Sequence, residues 1–278
     1  MQIYFLSAEG NRIDFDGRTY GISEMNIFQH QLSYDTKNGK IINFKRDVIE
    51  REIEINVSDD AAGTWQEHYE YIQDVFDRDN FNNERGRLFV NGYYLMCNIY
   101  AGEVEDQFRN WCDFQTCVLK IVSDYPVWIK ETTCQYLPEK PNQVEYTTLE
   151  KGILFPEFPF DFYSEKGEKT LFNPSFKDSN FLLTIYGFAE NPQITIAGHP
   201  YRVETTVYEG ERLVIDSIKR TVKKIGRLGD IADRYNARGK EKRVFQKIPP
   251  GTNTFQWSGG FGVDITLFDE RSEPKWNL

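Results

Sequence analysis

Apolar side chains at every second position constrain the fold of this chain more than any other feature of its sequence. Residues 52–57 alternate Glu, Ile, Glu, Ile, Asn and Val, and residues 263–268 place Val, Ile and Leu at alternate positions. Successive side chains of a β-strand point to opposite faces, so this period gathers the apolar side chains on one face. Half-buried strands of that kind are typical of antiparallel sheets. The pattern predicts an all-β fold.

The aromatic content supports the same prediction. The 278 residues include 21 Phe, 16 Tyr and 5 Trp, which together make 15% of the chain. Such rings are enriched in strands and on packed sheet faces. A chain of this length is long for one hydrophobic core and comfortable for two domains. We therefore expect an all-β protein of two domains.

Turn signals divide the first half into hairpins. Asp16-Gly17 is a strong turn signal, and apolar residues alternate on both sides of it, so residues 3–23 are predicted to form a hairpin. A second hairpin is predicted around residues 37–40, with a return strand that continues to Val57.

One short helix is predicted after these strands. Thr64 and Glu67 have the spacing of a capping box. An apolar stripe follows at helical spacing, formed by Trp65, Tyr69, Ile72 and Phe76. The polar stretch 77–85 that ends the helix faintly resembles a calcium loop, but Phe81 occupies the position of the third oxygen ligand. The stripe therefore predicts a helix packed on a sheet rather than a metal or ligand site.

The second half has the pattern of a β-sandwich. Residues 181–188 and 213–216 are predicted strands, and Gly198-His199-Pro200 is the predicted turn of a hairpin between them. Residues 132–180 instead carry scattered Pro, Gly and charged residues with aromatic residues between them.

These changes in composition predict the domain organisation. The first domain is placed at residues 1–135, an inter-domain crossing at 136–180, and the sandwich domain at 181–278. A start of the sandwich near residue 145 is also compatible with the composition. We expect the crossing to pack on the domains, because a free linker would not carry so many aromatic residues.

The charge and the N-terminal sequence exclude several classes of partner. The net charge of −10 disfavours nucleic acid and anionic membranes as main partners. No apolar run approaches the ~20 residues that span a bilayer, and the N-terminus lacks the features of a signal peptide. We expect no membrane insertion, no direct contact with nucleic acid, and synthesis in a cytoplasm.

A search for catalytic chemistry finds no specific motif. The three histidines (His30, His68 and His199) are scattered, and no nucleophile elbow, P-loop or dinucleotide fingerprint is present. The cysteines lack C-x-x-C spacing, which predicts reduced, buried thiols: Cys97, Cys112, Cys117 and Cys134. Acidic pairs are too common here to select a glycosidase site. We predict no catalytic residues, no cofactor and no metal.

One basic segment departs from the overall charge. Residues 219–243 contain ten Lys or Arg and three acidic residues, a net +7, which leaves −17 on the rest of the chain. Three interpretations remain open: a solvated loop joining two strands, a contact with an acidic surface of a neighbouring subunit, or a contact with nucleic acid. The candidate subunit-contact residues are Lys219, Arg220, Lys223, Lys224, Arg227, Arg234 and Arg238.

Several segments together resemble a known family. The second half contains N-P-x-I-x-I-x-G at 191–198, G-E-x-L-x-I-D at 210–216 and P-G-x-N at 250–253. The first half adds the hairpin at 15–22, the single helix near residue 65 and the run V-S-D-Y-P-V-W at 122–128. In this order, over nearly the whole chain, they resemble the distal tail proteins of phages or prophages of Gram-positive bacteria.

The resemblance implies an architecture and a role. The first domain would be a tail-tube-like β-sandwich or barrel with a flanking helix, forming a hexameric ring or two stacked rings. The second would be a galectin-like β-sandwich. The protein would be a structural hub of the virion tail tip, made in the bacterial host cytoplasm. Its partners would be the major tail tube protein, the tail-tip or tail-associated protein and receptor-binding proteins.

Two other functions are kept as alternatives. A carbohydrate-binding module would use exposed Tyr and Trp rings as stacking platforms. The run from His199 to Arg202 lacks the His-x-Asn-x-Arg spacing of galectins, so sugar binding is not carried over from the resemblance. An enzyme is the third hypothesis, and no residue is assigned to it.

Overall fold

The computed structural model describes residues 2–15, 17–29, 31–104, 113–138 and 169–275. It consists mainly of antiparallel strands with one α-helix, which confirms the predicted all-β class. The chain divides into two compact units: Met1–Lys130 together with Glu270–Leu278, and Glu131–Asp269. The predicted crossing at 136–180 contains residues 139–168, which lie outside the described residues, so that part of the prediction stays a prediction.

Among the described residues, the first unit contains ten strands and the helix. They are β1 (Ile3–Leu6), β2 (Arg12–Asp14), β3 (Tyr20–Met25), β4 (Ser33–Lys37), β5 (Lys40–Lys45), β6 (Ile49–Ser58), α1 (Trp65–Phe81), β7 (Gly86–Val90), β8 (Tyr93–Val104), β9 (Phe114–Ser123) and β10 (Trp128–Tyr136), whose last residues belong to the second unit.

Strand β8 connects two sheets of this unit. Residues 93–97 pair with β7, which pairs with β1 and through it with β2. Residues 98–104 pair with β9, which continues to β6 and β3, and this pairing contains a register shift between Ile99 and Ala101. A bulge of this kind bends a strand and turns it from one sheet into the next. The buried core lies between the sheets and includes Phe5, Ile55, Leu88 and Leu119.

Helix α1 covers this core as its sequence predicts. The Thr64 hydroxyl accepts from the backbone N–H of Glu67, and the Glu67 carboxylate accepts from the Thr64 N–H at 2.9 Å. Ile72 and Phe76 are buried, and the Phe76 ring meets Phe5 edge-on at 5.3 Å. The helix extends to Phe81, so part of the calcium-loop alternative at 77–85 is helical.

Two predicted pairings in the first half are wrong. Strands β2 and β3, on either side of Gly17, pair with β1 and β6 and do not form the predicted hairpin with each other. The turn of the second hairpin is correct, but its return strand ends at Lys45, and β6 is a separate strand. Pairing β3 with β6 sets Tyr20 opposite Val57, so both side chains enter one core.

The second unit contains the remaining strands. They are β11 (Lys169–Asn173), β12 (Asn180–Tyr186), β13 (Ala189–Glu190), β14 (Gln193–Ile196), β15 (His199–Arg202), β16 (Thr206–Val207), β17 (Arg212–Asp216), β18 (Thr221–Ile225), β19 (Ile231–Asp233), β20 (Gly251–Trp257) and β21 (Gly262–Arg271), with a 3-10 turn at Tyr235–Ala237.

These strands form a sandwich. One sheet has the order β19-β18-β17-β12-β21, and β10 follows β21. The other has the order β11-β20-β14-β15. Side chains from both sheets fill the core between them, including Phe181, Ile215, Phe255 and Val263. The Tyr136 ring stacks on Phe255 with centroids 3.9 Å apart.

No helix in the described part of the chain is long and apolar enough to cross a membrane.

Candidate functional site

The hairpin formed by β4 and β5 is the most unusual surface of the first unit. Its two strands pair with each other in a separate two-stranded sheet, across a turn at Asn38-Gly39. Asn38 and Gly39 have φ values of 52° and 73°. Positive φ at both central residues is the requirement of a type I′ turn, which Asn-Gly satisfies best. A lone two-stranded hairpin is marginally stable in water, so the turn is its main local support.

The hairpin exposes large apolar side chains. Tyr34, Ile41, Ile42 and Phe44 are each between 54% and 61% exposed. Ile41 pairs with Thr36, and Ile42 lies at the register shift between Asp35 and Thr36, where regular pairing is interrupted. Tyr34 and Phe44 lie opposite each other across the strands, with ring centroids 6.4 Å apart. Contiguous apolar patches on protein surfaces are enriched at interaction sites.

The hairpin also carries a charge opposite to that of its unit. Residues 33–45 contain three lysines and one aspartate, a net +2. The Asp35 carboxylate lies 2.6 Å from Lys45 Nζ. The first unit as a whole contains 15 Lys or Arg and 24 Asp or Glu, a net −9. The second unit contains 18 and 19, a net −1. The hairpin is therefore a basic, apolar element on an acidic unit.

The most strongly hydrogen-bonded carboxylate of the first unit has a structural role. Asp60 accepts from the Thr19 hydroxyl at 2.6 Å, from the Ala62 N–H at 2.7 Å, and lies 2.9 Å from His68 Nε2. These bonds hold the pKa of Asp60 well below its ordinary value, the Thr19 hydroxyl contributing most. They fix the loop that leads into α1.

The cysteines lie within the folded units. Cys97 and Cys117 are buried, and burial raises the pKa of the Cys97 thiol to about 12. Cys134 is only partly buried, whereas the sequence predicted burial. Cys112 lies outside the described residues. Within the described residues, no group of three His, Cys, Asp or Glu side chains is placed to hold a metal ion.

The basic segment of the second unit is not the loop that one interpretation predicted. Residues 221–225 form β18, which pairs with β17, and residues 231–233 form β19 at the edge of the same sheet. Lys and Arg at this edge fit the general use of charge on exposed edge strands, where it discourages unwanted pairing. The alternation of buried Val222 with exposed Lys223 is too short a signal to have predicted a strand.

Three of the seven candidate residues contact their own unit. Lys224 Nζ lies 2.8 Å from Glu211, and both side chains are mostly buried. Arg227 donates to the Glu209 carbonyl at 2.5 Å. The guanidinium of Arg238 stacks on the Tyr235 ring at 3.7 Å. These contacts stabilise the edge of the sandwich.

The other four candidates lie towards solvent. Lys219, Arg220 and Lys223 are exposed, and Arg234 is partly exposed. Lys219 and Arg220 belong to the turn between β17 and β18, where the Asp216 carboxylate accepts from the Lys219 N–H at 2.9 Å. The structure thus brings Lys219, Arg220 and Lys223 to one hairpin and leaves their charges available at the surface.

The galectin-type residues weighed in the sequence do not form a stacking site. Trp257 is buried, and its indole N–H donates to the Phe261 carbonyl at 3.0 Å. The ring of His199 lies with Nε2 2.9 Å from the Arg243 carbonyl. Arg202 is exposed on β15.

Three solved structures share this architecture over almost their whole length. One is the crystal structure of SPP1 Dit (gp 19.1), described as a paradigm of hub adsorption apparatus in Gram-positive infecting phages. It matches with a TM-score of 0.57 and 11% identity, covering 96% of this chain and 98% of that one. This chain has the fold of the phage distal tail hub proteins.

Two structures of the phage P2 baseplate in its activated conformation, one with Ca and one with Sr, contain chains of the same fold. Both match with a TM-score of 0.61, at 8% and 10% identity, and cover 98% of this chain and 99% of those chains. No family model matches the sequence, and no curated protein matches it. The likeness is therefore one of fold, and it agrees with the fold class predicted from the sequence.

Proposed function

We propose that this protein is a structural component of a phage tail, a ring-forming hub at the distal end that joins the tail tube to tail-tip and receptor-binding proteins. The exposed hairpin β4–β5 carries the proposal, because a monomer gains nothing from four large apolar side chains in water. The distal tail fold supports it, since the solved structures that share it belong to phage adsorption apparatus and baseplates.

The ring contact follows from the charge and exposure of the hairpin. Without residues 33–45 the first unit contains 12 basic and 23 acidic residues, a net −11. A basic, apolar hairpin from one copy therefore complements the acidic unit of the next. A contact between two different surfaces is heterologous, and it closes into a ring when the rotation between copies permits. Six copies, in one ring or two stacked rings, is the arrangement we propose.

The hairpin supplies part of the free energy of a lasting contact. Full burial of one Ile or Phe side chain contributes about 1.5–3 kcal/mol. The four exposed side chains start about half buried, so docking recovers part of this amount from each. Obligate interfaces typically bury about 2,000 Å² or more, so the hairpin anchors a larger contact between neighbouring copies.

The exposed lysines and arginine of the basic segment serve a second contact in this proposal. Lys219, Arg220 and Lys223 would meet an acidic surface on a neighbouring tail component. Exposed charges of this kind mainly set orientation and association rate. The second unit acts as a scaffold for such contacts and not as an enzyme.

The test measures mass in solution by light scattering and images the largest species by negative stain. Wild-type protein is expected to form six-membered rings or stacked pairs of rings. Ile42→Asp with Phe44→Asp is expected to give a folded monomer. The matched control is Leu228→Asp with Ile231→Asp, which changes two residues that are 98% and 64% exposed in the second unit, and it should form rings.

A wild-type protein that stays monomeric at micromolar concentration, also when mixed with tail tube and tail-tip proteins, would sink the hub proposal. Ring formation by the hairpin variant at the wild-type level would show that the hairpin is not part of the contact.

A further inference from the structure

A cleft in the second unit lies beside strand β15. Its volume is about 140 Å³, and it is lined by Gln193, Pro200, Arg202, Glu204 and residues 239–242. Drug-sized ligands occupy pockets of roughly 300–1,000 Å³. The cleft therefore suits one small group, such as a single sugar residue of a longer chain.

Hydrogen bonds hold the two walls of the cleft together. The Gly239 N–H donates to the Arg202 carbonyl at 2.8 Å, and the Glu204 N–H donates to the Ala237 carbonyl at 2.7 Å. These backbone bonds fix the part of the wall formed by Ala237 and Gly239.

The charges that line the cleft favour an anion. Arg202, Lys240 and Lys242 face two carboxylates, Glu204 and Glu241. The Arg202 guanidinium and the Glu204 carboxylate are 3.7 Å apart, a loose pair that leaves donors of the arginine for a ligand. A net positive cleft on a chain of net charge −10 concentrates anions locally.

The uncharged groups around the cleft favour a sugar. Gln193, directly opposite Arg202 in the register, presents an amide that both donates and accepts. Pro200 supplies an apolar ring face, and it is the only apolar side chain among the lining residues. Acidic peptide motifs are recognised by clusters of arginines, and Arg202 is the only arginine among the residues that line this cleft. Gly239 already bonds to Arg202 at the end of β15, and Ala237 bonds to Glu204 just beyond it.

We propose that this cleft binds an acidic sugar residue of a polysaccharide. The carboxylate or phosphate of the sugar would lie against Arg202, Lys240 and Lys242, and its hydroxyls would bond to Gln193. This inference is independent of ring formation, because none of these residues belongs to the hairpin.

The test is calorimetric titration of the full-length protein with trigalacturonate, galactose 1-phosphate, neutral galactotriose and triglutamate. Trigalacturonate or galactose 1-phosphate is expected to bind at least tenfold more tightly than galactotriose and triglutamate. Tighter binding of trigalacturonate would assign a carboxylate as the acid group, and tighter binding of galactose 1-phosphate would assign a phosphate.

Variants locate the binding. Arg202→Gln with Lys240→Gln is expected to lower the affinity at least tenfold without changing the mass of the particle. Lys219→Gln with Lys223→Gln removes the same charge elsewhere on the unit and should change it less than twofold. Three results would overturn the proposal: equal losses in both variants, triglutamate binding as tightly as the acidic sugar, or no binding of either acidic sugar at millimolar concentration.

Discussion

The hairpin β4–β5 and the basic edge β18–β19 are both paired strands at the surface, and they differ in what they expose and what they pair with. The hairpin exposes Ile41, Ile42 and Phe44 and pairs only with itself among the described strands. The basic edge exposes Lys223 and continues the sheet through β17. The edge is thus stabilised by the sheet of its own unit, whereas the two hairpin strands are paired only with each other in the described residues.

Truncating a core isoleucine should mainly lower stability, whereas truncating a hairpin isoleucine should mainly weaken assembly. Ile55→Ala empties a fully buried position in the first unit and should lower the free energy of unfolding by about 2–5 kcal/mol. Ile42→Ala should change it by less than about 0.5 kcal/mol and yet weaken ring formation. Denaturant unfolding and light scattering of both variants measure the contrast. A large loss of monomer stability from Ile42→Ala would show that the hairpin is part of the monomer core.

Substitutions in the turns at Gly39 and Gly229 should differ in how many paired residues they disrupt. Gly39 and Gly229 both have positive φ, 73° and 86°, with open space where a side chain would be added. Valine at either site should introduce strain of about 1–3 kcal/mol. Gly39→Val should open the whole hairpin, because only the turn and cross-strand contacts support it. Gly229→Val should leave β18 paired with β17. Hydrogen exchange measures both outcomes: residues 40–45 should lose protection in Gly39→Val, and residues 221–225 should keep it in Gly229→Val. An equal loss of protection in the two variants would contradict this prediction.

Lys223 and Lys224, which are neighbours in the basic edge, should differ in how much they stabilise the second unit. Lys224→Gln removes the partner of Glu211 and should lower the melting temperature of the second unit by a small but measurable amount. Lys223→Gln should leave it unchanged, because the side chain is exposed. Calorimetry of the two variants measures this, and equal melting temperatures would place Lys224 with the exposed residues.

Acidification should weaken both units, each through a different carboxylate. The pKa of Asp60 is lowered by the Thr19 hydroxyl, the Ala62 N–H and His68, and that of Glu211 is lowered chiefly by Lys224. A carboxylate whose pKa is lower in the folded state than in the unfolded state stabilises the fold at any pH above its unfolded pKa, which is about 4. This stabilisation is lost as the pH falls below that pKa.

Asp60→Asn should therefore flatten the loss of stability between pH 5 and pH 2 in the first unit, and Glu211→Gln should do so in the second. Melting curves across this range, followed by unit-specific hydrogen exchange, measure the change. Slopes identical to wild type in both variants would contradict these assignments.

Local signals made much of the fold predictable from the sequence. The capping pair Thr64 and Glu67, the turn at Asn38-Gly39 and the alternation in β6 and β21 each depend on residues a few positions apart. Pairing between distant strands is set by which faces meet in the core. The hairpin predicted across Gly17 failed for that reason.

The sequence patterns also did not predict that the hairpin is exposed. Ile41, Ile42 and Phe44 have the composition of a core strand, and no local pattern in the sequence distinguishes them from buried strand residues. The basic edge was predicted as a surface, but Lys and Arg obscured its two strands. Whether the candidate residues Lys219, Arg220 and Lys223 meet a partner stays a prediction.

The second unit is an insertion in the first. The chain leaves the first unit at Lys130 and returns at Glu270, and the Tyr125 hydroxyl bonds to Glu270 at 2.8 Å within the first unit. Truncation after residue 130 would therefore remove a native contact, whereas excising 131–269 keeps it. Both crossings are β-strands, so a mechanical load applied to the second unit is divided between two covalent tethers. A single backbone cut inside the second unit leaves each of the two resulting segments covalently joined to a part of the first unit.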